Sequence, residues 1–431
     1  MMFYLFIPPI IFTILLFLNM QIKTRRFNVS NTLLIFLLVS FVSAAFLARN
    51  PLSGETFINL PAILFLSFCF LMITFPVIFL KDYPDIIISK TIPPDKLKQL
   101  VWGLLFFLLP AAIYASSNIL LIRDFFYADM TKNEFGQMHN IQVRGNFFLM
   151  YVYCAMSLSF PCLFLSIYSW NIKQINSFTR ILLLFCGFTP GLQGIHIMSR
   201  SALINCVLFL LATVLVLFPS FPKKEQKRLI KLTLLVLGLI MIPLFIISWI
   251  RFKGEVLYWT FGYFCDGPYS FGIFHYAACN LKLMPQGGGM YSFPYFVEIL
   301  NKVFDIPISN EYDIDWYQNV RNEYYYICGS SPGSFVTVIG TLLMDFSQKM
   351  IAFLMIAFSV FFTTFFRTAS NNRLSTVYME IIFAHFILFS TIGLLYSSVP
   401  GNIQMLVTIL FYFVLRSLEQ DDLQGECTVV H

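Results

Sequence analysis

Charge is what this 431-residue sequence has least of. Asp, Glu, Lys and Arg together make up 12% of the residues, whereas 58% are hydrophobic and 18% are aromatic. The mean hydropathy is +0.76. Because this composition lies far outside the range of soluble domains, the sequence predicts an integral membrane protein.

Several other signatures are absent. The nine cysteines show no C-x-x-C spacing, so no cysteine-based metal site is expected. No nucleic-acid-binding motif is present, and the net charge of +6 largely reflects basic residues that collect on one side of a membrane. The first apolar segment lacks a basic leader and a small-residue cleavage site, so we expect a retained helix rather than a signal peptide.

Long apolar runs dominate the sequence instead. Eleven of them are long enough to cross a hydrocarbon core of about 30 Å as helices. We therefore predict an all-α, polytopic membrane protein of about eleven to twelve transmembrane helices. The predicted spans are 3–19, 30–48, 57–80, 98–122, 146–170, 178–194, 201–219, 229–250, 350–366, 374–396 and 402–416.

The distribution of Lys and Arg predicts the orientation, since short cytoplasmic loops collect these residues. Arg367 and Arg373 share the side of the other basic loops only if the weakly apolar segment 334–346 (SFVTVIGTLLMDF) enters the membrane and returns. If 334–346 crosses instead, there are twelve spans and the C-terminal tail changes sides. The basic loops that define the cytoplasmic side contain residues 23–26, 81–98, 173–180 and 223–231.

The hydrophilic material is unevenly distributed. Residues 1–250 hold about eight spans, 251–332 form a large external loop, 333–417 hold the re-entrant segment and the last spans, and 418–431 form a cytoplasmic tail. Of the 82 loop residues, 21 are Phe, Tyr or Trp, about a quarter against 18% for the chain. Aromatic faces suit sugar rings and equally suit anchoring at the membrane interface, so composition leaves both interpretations open.

Arg200 lies between two strongly apolar stretches. The sequence FTPGLQG at 188–194 predicts a break in the helical pattern, after which Ser199 can cap a helix that begins at residue 200 or 201. A guanidinium is mildly unfavourable at the positive end of a helix, which suggests that an anion such as phosphate compensates it. The alternative is an arginine that extends to the membrane interface.

Further arginines could converge on the same anion. Arg remains charged at any working pH and grips phosphate oxygens as a bidentate fork, so a cluster can hold a pyrophosphate without a metal. We predict neither a metal nor a cofactor. The predicted pyrophosphate ligands beside Arg200 are Arg123, Arg144, Arg251 and Arg321.

A general base would have to come from the external His, Glu and Asp residues. His275 and Glu134 are the first candidates, the histidine because its ordinary pKa lies near neutrality. Asp345, in LLMDF, is another candidate, because a carboxylate beside a broken helix could orient an arginine and because ionisable groups there usually face a cavity or a partner. Other external candidates for the base are His139, His196 and Asp266.

Two motifs, SRSALI at 199–204 and SFVTVIGTLLMDF at 334–346, occur together with about eleven spans and a large external loop in the second half. The pattern resembles the O-antigen polymerase (Wzy-type) family of bacterial envelope enzymes. Arg200 matches the family's Ser-Arg-Ser/Gly step, and Asp345 with Phe346 matches its Asp-Phe-Gly step.

Two positions depart from the family pattern. Ser347 stands where glycine is usual, which bears on the tight turn after Asp345. The arginine-x10-glycine spacing of some members is not met, because Gly333 lies one residue too far from Arg321. The resemblance therefore carries over Arg200 and Asp345, and the other arginines follow by chemical plausibility alone.

The resemblance implies a GT-C-like membrane glycosyltransferase in the bacterial inner membrane, acting without a metal at the periplasmic face. Its substrates would be undecaprenyl-pyrophosphate-linked oligosaccharides: a growing glycan as donor and the hydroxyl of a newly flipped repeat unit as acceptor. Expected partners are these lipids, the bilayer and a chain-length regulator protein. The arginines would stabilise charge on the leaving pyrophosphate, while a histidine or carboxylate takes the acceptor proton.

Two alternatives remain. An O-antigen ligase shares the architecture and donor but transfers the finished chain to the lipid A core; such enzymes carry a His shortly after an Arg in the long loop, and Arg251 with His275 is the only such pair here. A lipid-linked oligosaccharide flippase or other transporter is the second alternative. Transporters tend to have short loops on both faces and an internal repeat, and this sequence shows the reverse.

Overall fold

The three-dimensional structure is a computed structural model. In the described ranges the regular elements are all helices. The structure describes residues 2–23, 28–47, 60–80, 92–118, 147–172, 174–196, 200–252, 337–343, 345–368, 373–393 and 399–427, together with 267–268, 271–272, 275, 279, 292–293, 296–297, 300 and 303.

Fourteen α-helices lie in these ranges. Short 3-10 turns at Met2–Phe6, Phe75–Phe79, Ser169–Asn171 and Phe218–Ser220 adjoin them. In chain order the α-helices are α1 (Ile7–Ile22), α2 (Val29–Leu47), α3 (Leu60–Thr74), α4 (Pro94–Asn118), α5 (Phe147–Met156), α6 (Ser159–Tyr168), α7 (Ser177–Gly187), α8 (Thr189–His196), α9 (Arg200–Leu217), α10 (Lys223–Phe252), α11 (Val338–Leu343), α12 (Gln348–Thr368), α13 (Leu374–Phe389) and α14 (Val399–Cys427).

Each of the eleven predicted spans coincides with helical structure. Within the described part of the chain, eight helices are long and apolar enough to cross a membrane, or up to nine if the bent pair Ser177–Gly187 and Thr189–Ile195 is one span. The other two predicted spans contain shorter apolar helices. Span 146–170 is interrupted by a turn at Ser157 and Leu158, and span 374–396 contains a helix of 16 residues.

Polar residues begin several helices as the sequence chemistry requires. The Asn28 side chain accepts from Asn31 N–H at 2.7 Å at the start of α2, and Asn176 accepts from Thr179 N–H at 2.7 Å at the start of α7. Such caps satisfy main-chain donors that a helix end leaves free. In an apolar chain they mark the helix boundaries.

The chain divides into two compact units. Unit 1 comprises Met1–Lys81, Glu255–Ala369 and Phe386–Asn402, and unit 2 comprises Asp82–Gly254, Ser370–His385 and Ile403–His431. Each unit combines segments that are distant in sequence. The packing within each unit is therefore set by tertiary contacts rather than by chain order.

Unit 1 holds a buried aromatic cluster. Phe12, Phe41 and Phe70, one from each of the first three helices, lie with ring centroids 5.0 to 6.5 Å apart. A polar contact accompanies it, since buried Asn19 donates from its amide to Asn31 Oδ1 at 2.5 Å. An interhelical amide pair of this kind supplements close packing where lipid gives helices no hydrophobic drive to associate.

Two contacts in unit 1 show that α3 and α12 run parallel. Near one end, Phe65 and Gln348 both contact His275; at the other, the Arg367 guanidinium lies 4.4 Å from the Phe79 ring centroid. Five predicted spans lie between α3 and α12. Because this number is odd, the two helices run through the membrane in the same direction only if 334–346 does not add another crossing. The helix α11 in this segment has six residues, about 9 Å of helix, which is too short for a span.

Unit 2 is packed by aromatic side chains and glycines. The rings of Phe160 and Phe209 stack with centroids 4.1 Å apart and planes 3° apart. A Cβ added at Gly187 would lie 2.5 Å from Leu163 Cγ, and one at Gly191 would lie 2.7 Å from Leu203 Cδ1. These glycines therefore allow close approach of helices, as small residues do in membrane proteins.

Candidate functional site

The structure describes half of the predicted site residues. Glu134, Arg123, Arg144 and Arg321 lie outside the described residues. Arg200 and Arg251 are described as helix positions only. His275 and Asp345 are described with their side chains, and both belong to unit 1.

The described part of α9 begins at Arg200, which agrees with the predicted helix over this segment. The predicted break is present, at the first residue of the segment 188–194. The chain bends by 48° at Phe188, and Pro190, Gly191 and Gly194 lie inside α8 instead of interrupting it. Proline is tolerated in the first turn of a helix, where its missing N–H needs no partner, and this explains why Pro190 does not end the helix. Ser199, the predicted cap, lies outside the described residues.

Arg251 lies in the last turn of α10. Helices α9 and α10 are joined by the short connection 218–222, so if both span the membrane Arg200 and Arg251 lie on the same side of it. At 1.5 Å per residue, Arg200 lies about 26 Å from the end of α9 at this connection, and Arg251 lies about 42 Å from the start of α10. If both helices span the membrane, the two arginines share a side, and their distances from the connection differ by about 16 Å.

Asp345 lies in the turn between α11 and α12 and is 1% exposed. Its Oδ2 accepts a hydrogen bond from the Ser292 main-chain N–H at 2.6 Å. A carboxylate that accepts from a main-chain donor makes a strong, charge-assisted bond. Asp345 thus ties residue 292, in the predicted loop, to the start of α12.

The turn after Asp345 forms without the family's glycine. Asp345 and Phe346 donate their N–H groups to Leu342 O at 3.1 and 2.9 Å, and Ser347 then begins α12, with Met350 N–H 3.4 Å from its Oγ. Serine is a favoured N-cap residue, so it is suited to the place where glycine was expected. The departure at Ser347 is compatible with the tight turn.

His275 is buried, with 3% of its surface exposed. Its ring lies between Phe65 and Phe271, at centroid distances of 6.0 and 5.9 Å, and its Nε2 contacts the Gln348 side-chain amide Nε2. Burial lowers the pKa of His275 below its ordinary value, because a charged imidazolium would lose its hydration. The neutral imidazole therefore dominates at neutral pH.

Gln348 links the two candidates. It lies three positions after Asp345, which is about one helical turn. The Asp345 carboxylate, which binds Ser292 N–H, and the Gln348 amide, which contacts His275, are therefore neighbours. Sequence reasoning missed Gln348. A polar residue at the start of an apolar helix, three positions after a singled-out aspartate, was the available signal.

Main-chain contacts complete this cluster. Val338 N–H donates to Ser390 O at 2.9 Å, and Asn402 Nδ2 lies 3.4 Å from Ser292 O. A Cβ at Gly267 would lie 2.0 Å from Thr391 O, so the chain passes directly against its neighbour there. No sequence pattern indicated Ser292, Asn402 or Gly267, because each acts through its position next to a distant segment.

Three buried polar atoms of the cluster have no hydrogen-bond partner within the described part of the chain: His275 Nδ1, Ser292 Oγ and Thr391 Oγ1. Buried polar groups are ordinarily paired, so such atoms are candidates for contact with a ligand or water. Across the described ranges, no three His, Cys, Asp or Glu side chains come together in a way that could hold a metal ion.

In unit 2, helix α13 contains a buried glutamate and a buried histidine. Glu380 and His385 are each fully buried, and the His385 ring meets Phe160 and Phe209 edge-on at 5.0 and 5.2 Å. These residues lie between aromatic faces inside the helix packing. They fit a structural role better than a reaction with a substrate.

The chain matches no protein-family model, no curated protein and no solved structure with which it was compared.

Proposed function

We propose that this protein is a membrane glycosyltransferase that polymerises oligosaccharide repeat units carried on undecaprenyl pyrophosphate, at the periplasmic face of a bacterial inner membrane. The observation that carries the proposal is the buried cluster of Asp345, Gln348 and His275, which brings together a residue from the family-like MDF step and one from the aromatic loop. The sequence predicts that this face is periplasmic.

Arg200 supports the same proposal from unit 2. The described part of α9 begins with it, and at the N-terminus of a helix free main-chain N–H groups and the dipole add to the positive charge of a guanidinium. If α9 and α10 both span the membrane, Arg251 supplies a second cation on the same side, about 16 Å further along its helix.

The proposed reaction breaks the bond between the anomeric carbon of the donor and its pyrophosphate oxygen. The acceptor hydroxyl oxygen forms the new glycosidic bond and loses its proton to a base of the protein. Negative charge builds on the pyrophosphate, and Arg200 with the other arginines stabilises it. Asp345, Glu134 and His275 are the candidates for the base or for its orientation.

A gene deletion with complementation tests this function. The readout is the lipopolysaccharide ladder on a gel, from a deletion strain that carries wild-type protein or Arg200→Ala at matched membrane levels. We expect a core-plus-one-unit band in the deletion, a ladder restored by wild type, and loss of most of that ladder with Arg200→Ala. Removal of one group that stabilises transition-state charge costs about 10²- to 10³-fold in rate.

Lys23→Ala is a matched control, because Lys23 is also a cation at a helix end but hydrogen-bonds Ser30 Oγ at 2.8 Å on the predicted cytoplasmic side. It should leave the ladder intact if the protein reaches the membrane. A full ladder with Arg200→Ala would reduce this arginine to an interfacial anchor. Loss of even the single-unit band in the deletion would assign the protein to ligation or flipping instead.

A further inference from the structure

The contact between Gln348 and His275 indicates which ring nitrogen of the histidine carries its proton. The amide Nε2 of Gln348 faces the ring Nε2 of His275. An amide NH₂ group can only donate, so the ring nitrogen opposite it must accept with its lone pair. In a neutral imidazole one nitrogen accepts and the other carries the hydrogen, so this orientation of the Gln348 amide requires the hydrogen of His275 to be on Nδ1.

The other described neighbours of the ring do not compete for that hydrogen. Phe65 and Phe271 pack against the imidazole with tilted rings, and neither has a conventional acceptor atom. His275 Nδ1 is buried and has no hydrogen-bond partner among the residues that the structure describes. An N–H group in such a position keeps its full capacity to donate to a bound molecule.

We propose that Gln348 is a positioning residue that holds His275 in the Nδ1–H form, and that His275 donates a hydrogen bond to an oxygen of the bound substrate instead of accepting a proton from it. Its place in a glycosyl transfer rests on the proposed function, whereas the position of the hydrogen does not. The assignment leaves a carboxylate, Glu134 or Asp345, as the proton acceptor. His275 then contributes a neutral donor, which a buried site accommodates at lower cost than an imidazolium.

The position of the hydrogen can be measured without any activity assay. The protein has five histidines, so ¹⁵N-histidine-labelled protein in lipid bilayers gives few ring signals, and the His275 signals are those that disappear in His275→Asn. Protonated and unprotonated ring nitrogens have well-separated ¹⁵N shifts. We expect Nδ1 of His275 to show the protonated shift and Nε2 the unprotonated one.

Gln348→Glu is the matching variant. A carboxylate at the same place accepts only, so it should draw a hydrogen onto Nε2, and the Nε2 signal should change from the unprotonated to the protonated shift. Gln226→Glu is the control, because Gln226 also donates from Nε2, to Phe218 O at 3.1 Å in unit 2, and faces no histidine. Wild-type protein with the hydrogen on Nε2, or an unchanged spectrum in Gln348→Glu, would overturn the proposal.

Three substitutions of His275 then separate a donor from a base. The amide nitrogen of Asn and Nδ1 of His are the same number of bonds from the main chain, so His275→Asn keeps a hydrogen-bond donor at this place. His275→Asp has the same shape as the Asn variant but supplies an acceptor. His275→Leu supplies neither a donor nor an acceptor. With the ladder as readout at matched membrane levels, we expect Asn to stay within about 10-fold of wild type, and Asp and Leu to lose about 10²- to 10³-fold.

An Asp variant as active as Asn, or more active, would make His275 a base and overturn the donor role. Equal inactivity of all three variants would overturn it as well. If the deletion strain shows that the protein is not a polymerase, the nitrogen shifts still decide the tautomer. Failure of the proposed function is thereby distinguishable from failure of this inference.

Discussion

At the scale of single residues, Gly267 is held by main-chain atoms. A Cβ at this position would lie 2.0 Å from Thr391 O, in the turn after α13, and 3.2 Å from Thr337 N, directly before α11. Main-chain atoms cannot move away by a change of rotamer, whereas the end of a flexible side chain can. We expect Gly267→Ala to lower the stability of the protein by about 1–3 kcal/mol, the usual cost of overpacking.

Thermal unfolding in detergent measures this effect, and Gly103→Ala is the control. Gly103 lies in α4 with no other heavy atom within 4 Å of an added Cβ. There the substitution removes a flexible residue from a helix and should raise stability by about 0.5–1 kcal/mol. The same loss in both variants would show that Gly267 is not confined by its neighbours.

Asp345 illustrates how much a sequence can say about one residue. An aspartate in a mostly apolar segment predicts a partner, because an unpaired carboxylate there is costly. The structure supplies the Ser292 main-chain N–H, 53 positions away in sequence. The predicted orientation of an arginine by Asp345 stays a prediction, since the side chains of the candidate arginines are not among those described.

At the scale of elements, α14 continues well beyond its predicted span. It runs to Cys427, and its Glu419 reaches the start of α13, accepting from Ser375 N–H at 3.0 Å and from the Ser375 hydroxyl at 2.7 Å. A carboxylate at a helix N-terminus satisfies free donors and opposes the positive dipole end. The beginning of the predicted tail 418–431 is therefore part of the packed structure.

Two truncations test this role of α14. Deletion of 418–431 removes Glu419 and should lower stability by about 0.5–2 kcal/mol, the cost of losing a helix cap. Deletion of 421–431 keeps Glu419 and should have little effect. Thermal unfolding of the two purified proteins measures the difference, and equal melting temperatures would show that Glu419 does not stabilise α13.

Parallel packing of α3 and α12 is also a property of elements. Arg367 lies in the last turn of α12, where a cation is favourable, and it contacts the Phe79 ring beyond the end of α3. The opposite ends meet at His275. The sequence could predict neither contact. His275 lies 210 positions from Phe65 and 73 positions from Gln348, and Arg367 lies 288 positions from Phe79.

At the scale of the whole molecule, the parallel pair predicts a topology. With all nine native cysteines replaced, we expect Ser347→Cys to react with a membrane-impermeant maleimide from outside intact cells. Ile22→Cys and Thr368→Cys should react only after permeabilisation, because they lie at the other ends of their spans. All three positions are exposed in the structure, so burial does not limit the reaction.

The labelling pattern separates the two predicted topologies. If 334–346 enters and leaves on one side, residues 22 and 347 lie on opposite sides of the membrane. If it crosses, they lie on the same side and Ser347→Cys reacts together with Ile22→Cys. The second pattern would overturn the assignment of α11 as a segment that does not span.

The sequence by itself determined the class of the protein and the positions of its apolar helices. Apolar run length and capping residues act locally, so they can be recognised in a single chain. The turn chemistry at 188–194 was predicted less well, because proline and glycine are tolerated in the first turns of a helix as well as in a break.

Only the tertiary structure decided what surrounds Asp345 and His275. Their partners, Ser292 and Gln348, lie 53 and 73 positions away, and nothing in the local sequence indicates which main-chain N–H or amide a buried group will meet. Hydrogen-bond partners of buried groups are fixed by the packing of distant segments, which depends on the whole chain. The sequence could therefore identify both residues as candidates, and the fold alone gave each of them its neighbours.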